Sequence, residues 1–164
     1  MSFRHWFTWL AACLTVALLT GCAAGGIPVG TRYTTGVIAK EPFTYAIYAL
    51  DPKQENSMEF SVLRASLTQA LDRRGSKAVT QNPSLVFLLG HAIETGVEAP
   101  YENYIVLLGF DSTSRAPVYQ ARVKVETKKA RTELVGSRVL EALVADLGRV
   151  GASIEPLRLN LGGL

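Results

Sequence analysis

Phe60, Leu63, Leu67, Ala70 and Leu71 recur at steps of three and four, with Arg64, Gln69, Asp72 and Arg73 on the other side. This is the period of a helix with one apolar stripe. Asn56 followed by Glu59 reads as an N-cap with its reciprocal partner, and Gly75 as the stop, so the spacing predicts a helix over 57–74. A second stripe, Leu134, Val135, Val139, Leu143, Val144 and Leu147, predicts another over 131–147.

Between and before these stripes the period changes to two. Residues 43–50 are aromatic and branched, are bounded by Pro42 and Pro52, and read as the first strand. A short strand is expected at 77–79 and longer ones at 85–94 and 104–110. In 118–127 Tyr119, Ala121, Val123 and Val125 point one way and Gln120, Arg122, Lys124 and Glu126 the other. The short connector 111–117 makes the last two strands a hairpin. The expected fold is α+β, in β-α-β-β-β-α order. A largely antiparallel sheet of four to five strands carries both helices on one face.

The middle strands break the one-sided pattern. Val86, Leu88 and Ala92 oppose Leu85, Phe87 and Leu89, while Ile105 and Leu107 oppose Tyr104, Val106 and Leu108. Gly90 and Gly109 would leave shallow notches on the faces of Val86 and Ile105 respectively. If helices cover one face, the other needs a cover too. Val86, Leu88, Gly90, Ile105, Leu107 and Gly109 are therefore the candidate interaction face. Its cover would be the chain's own ends (Leu157, Leu159 and Leu161 alternate suitably), a second copy, or a protein partner.

The first residues read as an address. Arg4 is followed by an uncharged run from Trp6 to Leu19, too short to span a bilayer and suited to the apolar region of a secretory signal. Leu19, Thr20, Gly21 and Cys22 resemble a bacterial lipobox, which implies cleavage before Cys22 and acylation of that residue. Ala23 stands where the inner-membrane retention signal of such proteins has Asp. The resemblance therefore implies an outer-membrane anchor with the domain facing the periplasm. The expected divisions are a signal over 1–21, an acylated cysteine and flexible tether over 22–41, a domain over 42–150 and a tail over 151–164. A further edge strand around 36–39 would lie within the tether.

Composition and charge narrow the functions. Of 164 residues 48% are hydrophobic and 19% charged, which suits a globular chain. The formal net charge of +3 falls to +2 without Arg4, too small to argue for nucleic acid. Cleavage would also remove Trp6, Trp9 and Cys13, and acylation would cap Cys22, so no free thiol is expected to remain. Basic residues gather at Lys124, Lys128, Lys129, Arg131 and Arg138, and at Arg73, Arg74 and Lys77. Such clusters suit anionic headgroups, an acidic partner or simple solvation.

One family resemblance covers about 43–148. The phrase Phe43-Thr44-Tyr45-Ala46, the helix end Ala70-Leu71-Asp72-Arg73-Arg74-Gly75 and the phrase Pro83-Ser84-Leu85-Val86-Phe87 resemble small bacterial lipoproteins of the domain-of-unknown-function family DUF 4136. This chain has Ile47 where the family favours an aromatic residue, Ser84 where Asp is common, and Val118-Tyr119-Gln120-Ala121 for a V-W-R-G-like phrase. The resemblance implies fold and location, not an activity.

No G-x-S-x-G elbow, H-E-x-x-H pair or phosphate-binding glycine loop occurs in the chain. Ser137 sits in the second expected helix with no histidine near it in sequence. His91, with Glu94, Glu98 and Glu102 following, is the one weak metal or acid–base candidate. The reading that follows is a non-enzymatic, lipid-anchored envelope protein without a cofactor, which binds a protein partner or itself or helps to organise the envelope. The alternative is a periplasmic small-ligand or metal-dependent enzyme built on His91 and those glutamates.

Overall fold

A computed structural model of the chain describes residues 27–34, 42–95, 101–127, 132–147 and 151–159. The strands are β1 (Ile27–Thr34), β2 (Thr44–Ala49), β3 (Lys77–Ala78), β4 (Leu85–Thr95), β5 (Tyr101–Asp111), β6 (Pro117–Thr127) and β7 (Gly151–Leu159). Helix α1 is Met58–Arg73 and α2 is Thr132–Asp146.

The fold is α+β. The five strands between residues 44 and 127 and the two helices follow the expected order. They form one sheet with β1 and β7, in the order β3-β2-β4-β5-β6-β1-β7. The sheet is mixed, because β2 runs parallel to both β3 and β4. The cause is α1: a helix inserted between two strands returns the chain to its starting end, so the next strand repeats the direction of the first. From β4 through β7 every pairing is antiparallel.

Helix α1 forms where the apolar stripe places it. Phe60, Leu63, Leu67, Ala70 and Leu71 are all buried. Its N-cap is Ser57 rather than Asn56: the Ser57 hydroxyl accepts from the Phe60 N–H at 3.1 Å. Asn56 instead belongs to the turn after Pro52–Gln54, a single 3-10 turn. At the other end Gly75 has φ +82, Ser76 N–H donates to the Leu71 carbonyl, and Gly75 N–H donates to that of Asp72. These bonds satisfy two of the helix's last carbonyls, and only glycine enters this backbone region without steric cost.

The core lies between the helices and one face of the sheet. Tyr45, Leu85, Phe87, Leu89, Ile105, Leu107, Tyr119, Ala121 and Val123 face Leu63, Leu67, Leu71, Val139, Leu140 and Leu143. Each fully buried leucine or phenylalanine contributes about 1.5–3 kcal/mol relative to exposure. The helices approach closely at Gly136, where a Cβ atom would stand 2.1 Å from Leu63 Cδ2. Two tyrosine hydroxyls and one guanidinium that reach the core are paired. The Tyr45 hydroxyl donates to Asp72 at 2.8 Å, and burial together with that carboxylate holds its pKa well above the usual tyrosine value. Tyr119 donates to the buried Asp146 at 3.4 Å. Arg74 reaches across to the Val144 carbonyl and fastens the two helix ends together.

The chain's ends depart from expectation. Much of 22–41, expected as tether, is strand β1, and much of 151–164, expected as tail, is strand β7. The two pair antiparallel, Ile27 opposite Leu159, and β1 joins the sheet through β6. The expected strand at 36–39 lies outside the described residues.

Candidate interaction face

Ladder register decides which residues share a face. In the antiparallel pair β4–β5, Phe87 stands opposite Gly109, Leu88 opposite Leu108, and Leu89 opposite Leu107. Directly opposed residues point to the same side of the sheet. Val86, Leu88 and Gly90 therefore lie on the face away from the helices. Ile105, Leu107 and Gly109 lie on the helix face, where Ile105 and Leu107 are 1% and 0% exposed. The six candidate residues do not form one surface. The open face is instead made by Val86, Leu88, Val106, Leu108 and Phe110, all half-buried, with the 48%-exposed Tyr48 of β2 beside them.

Neither glycine leaves a notch. A Cβ at Gly90 would stand 2.9 Å from Leu50 Cδ2, so Leu50 already fills that place on the open face. At Gly109 the space belongs to Phe87 and Tyr119, whose atoms would lie 3.1 and 3.3 Å away. Strand β7 lies in the plane of the sheet as the neighbour of β1, and both helices pack on the other side. Among the described residues, cover of this face by 151–159, one of the alternatives the sequence leaves open, is not present.

The β6 side of this face is polar. Gln120, Arg122 and Lys124 are exposed, as their alternation predicts. Lys124 pairs with Glu102 at 2.6 Å, Tyr104 donates to Glu102 at 2.7 Å, and the Arg122 guanidinium lies 5.3 Å from the Tyr104 ring centroid. The Lys124 and Tyr104 bonds hold the Glu102 carboxyl below its usual pKa. An apolar half carried by β4 and β5 thus adjoins a cationic half carried by β6. This is the makeup of a surface that a protein can cover with a few apolar anchors and a polar rim.

His91 does not gather the glutamates. It is on the helix face, opposite Ile105, whereas Glu102 is on the open face and stands opposite Glu94 in the ladder. Glu98 is outside the described residues. Burial lowers the His91 pKa, partly offset by a bond to Asn103 and by the charge of Glu59. Among the described residues no group of three or more His, Cys, Asp or Glu is placed to hold a metal ion. Ser137, on α2, is half-buried. Leu19, Thr20, Gly21 and Cys22 lie outside the described residues. No helix among the described residues is long and apolar enough to cross a membrane.

An open cleft of about 690 Å³ lies at the outer edge of β2, lined by Ile47, Tyr48, Glu55, Arg64 and residues 78–81. Sequence reasoning missed it. Strand β3 pairs with β2 only at Thr44 and Tyr45, so the edge beyond has no strand neighbour among the described residues. Glu55 closes part of it by accepting from the Ala49 N–H at 2.6 Å, with Arg64 3.4 Å away. A carboxylate in that place guards an edge against unwanted strand pairing.

No family model and no curated protein sequence matches the chain, so the DUF 4136 resemblance rests on the residues quoted for it. Solved structures do match in fold. A PelC dodecamer from Paraburkholderia phytofirmans, a single-site variant, aligns with a TM-score of 0.50 at 14% identity, over 71% of this chain and 94% of that one. A PDZ domain protein from Parabacteroides distasonis aligns at 0.55 and 9% identity, over 79% of this chain but 39% of that one. A candidate lipoprotein of Caulobacter crescentus aligns at 0.43 and 15% identity, over 69% and 90%.

Proposed function

We propose that this chain is a lipid-anchored envelope protein, acylated on Cys22 and held at the periplasmic side of the outer membrane. It acts without catalysis, as a module that binds a protein surface, and the surface we favour is a second copy of itself. The observation that carries the reading is the open face of β4 and β5. Val86, Leu88, Val106, Leu108 and Phe110 present a contiguous apolar strip that the two helices leave uncovered. Exposing such a strip to water is unfavourable, and association removes it. The lipobox at Leu19-Thr20-Gly21-Cys22 supports the anchor, and the assembly of a protein of similar fold as a dodecamer supports self-association.

The test is Leu88→Lys in the acylated protein. Leu88 is half-buried at the middle of the strip, so a lysine there can reach solvent in the monomer but not in an assembly. Native mass spectrometry is expected to find an oligomer for the parent and a folded monomer for the variant. An unchanged assembly state with unchanged thermal stability would sink the proposal. Intact-mass measurement of purified protein tests the anchor: an unmodified Cys22 would remove it.

A further inference from the structure

The outer edge of β2 is closed at its two ends and open between them. The Phe43 and Tyr45 carbonyls accept from the Lys77 and Val79 N–H groups on the β3 side, whereas Leu50 N–H donates to the Leu89 carbonyl of β4. The odd residues of β2 therefore turn their main-chain groups outward, and the even ones turn theirs to β4. At Ala49 the outward N–H is taken by Glu55. Ile47 lies between, and among the described residues nothing is bonded to its N–H or its carbonyl.

Strand β3 stops short for a topological reason. The next strand, β4, lies on the other side of β2, so the chain leaves the edge after Val79. It does so through a bend in which Asn82 takes the left-handed backbone region, φ 49. The cleft beside Ile47 is the place that a longer β3 would have filled.

Length and lining restrict what can enter. From Tyr45 to Ala49 is four residue steps, about 13 Å of strand. The apolar lining comes from Ile47, which is half-buried, from Ala78 and Val79, and from the exposed ring of Tyr48. The lining charges are Glu55 and Arg64, which are paired with each other. A charged side chain brought into the cleft would thus meet no unmatched opposite charge. An open strand edge is met by the main chain of another extended segment, whose alternate side chains then rest on the walls.

We infer that the outer edge of β2 is a strand-addition site, which takes an uncharged, extended peptide segment of about four residues by pairing its main chain with Ile47. Glu55 sets the length of the segment by holding Ala49, and leaves Ile47 to be paired. The site depends neither on the anchor nor on the β4–β5 strip, so it stands apart from the function proposed above.

The test uses the full chain and the acetylated, amidated pentapeptide Thr-Val-Thr-Val-Thr, with hydrogen exchange resolved by residue in NMR spectra. Without peptide the Ile47 amide is expected to exchange several-fold faster than that of Tyr48, which faces β4. Saturating peptide should slow Ile47 several-fold and leave Tyr48 unchanged. The same peptide N-methylated at every residue keeps its side chains, loses its main-chain donors, and should not protect Ile47. Peptides with lysine or glutamate at the central position should bind several-fold more weakly. Leu88→Lys, placed on the β4–β5 strip, should bind the pentapeptide as the parent does, which keeps failure of this site distinct from failure of the open face. An Ile47 amide as slow as that of Tyr48 before peptide is added, no slowing at millimolar peptide, or equal protection by the N-methylated form would overturn the site. Equal or tighter binding of the charged peptides would overturn the uncharged class. A folded Leu88→Lys protein that no longer binds would overturn the location.

Discussion

Gly136→Ala separates helix propensity from helix packing, because the two effects have opposite signs. In an isolated helix the change stabilises by about 1 kcal/mol, since alanine loses less backbone entropy than glycine. In this protein the new Cβ would lie 2.1 Å from Leu63 Cδ2 and 3.6 Å from its Cγ. Carbon atoms settle at about 3.5–4.0 Å, so the overlap is about 1.4 Å or more. Leu63 is 1% exposed and enclosed by the core, which leaves its side chain little room to turn aside. Either it leaves its rotamer or the helices separate, and overpacking of this kind costs about 1–3 kcal/mol. An overlap this large belongs at the upper end, so the net effect is a loss of about 1–2 kcal/mol after the helix gain. Urea denaturation should show a lower midpoint with an unchanged slope. The contact itself is isolated by a double-mutant cycle with Leu63→Ala, which costs about 2–5 kcal/mol by itself. In the Gly136→Ala background that cost should shrink by about 1 kcal/mol or more. A Gly136→Ala protein that is more stable than its parent would refute the close crossing.

Three other outcomes follow from single groups. Ser57→Ala should lower stability by about 1 kcal/mol, whereas Asn56→Ala should not, as thermal melts of the two will tell. His91 has a folded pKa below its ordinary 6.5, so its contribution is fully present above that value and declines as pH falls towards the folded pKa. Urea midpoints measured between about pH 7.5 and pH 5 should therefore fall less in His91→Gln than in the parent. Asp111 accepts from the Ser114 N–H, the Ser114 hydroxyl and the Thr113 N–H, which hold its pKa below the ordinary carboxylate value. Carbon-detected NMR titration should find it among the last carboxyls to protonate as acid is added, and Ser114→Ala, which removes the hydroxyl but keeps both backbone donors, should move it only part of the way back.

Some of this fold could be read from the chain because local periodicity alone determines it. The α1 stripe and the alternation of Tyr119 to Val125 need no knowledge of a partner. The ends could not be read so. Pro28, Gly30 and Pro156 interrupt any alternation in β1 and β7, and these strands exist through long-range pairing with register shifts on the way. The split of the candidate face has the same origin. Each of β4 and β5 shows two apolar faces in its own sequence, but matching Leu88 to Leu108 rather than to Leu107 depends on the turn between Thr95 and Tyr101. A shift by one residue exchanges the faces. Ser84 is a smaller case. It departs from the family phrase, yet its hydroxyl donates to the Thr44 carbonyl at 2.7 Å and accepts from the Thr44 N–H at 3.1 Å, fastening β4 to β2. The cleft beside β2 had no signal at all, since an edge is defined by the strand that is missing.

The pairing of β1 also orders events in time. This strand is made first, yet both of its neighbours, β6 and β7, come from the far part of the chain. Synthesis from the N-terminus delivers β1 long before anything can pair with it. Closing so long a loop carries a high entropic cost and slows folding. The centre of the sheet can assemble meanwhile, because β4, β5 and β6 are successive hairpins. The first of the described strands to be made is thus among the last to be seated, and until then both of its edges stay open.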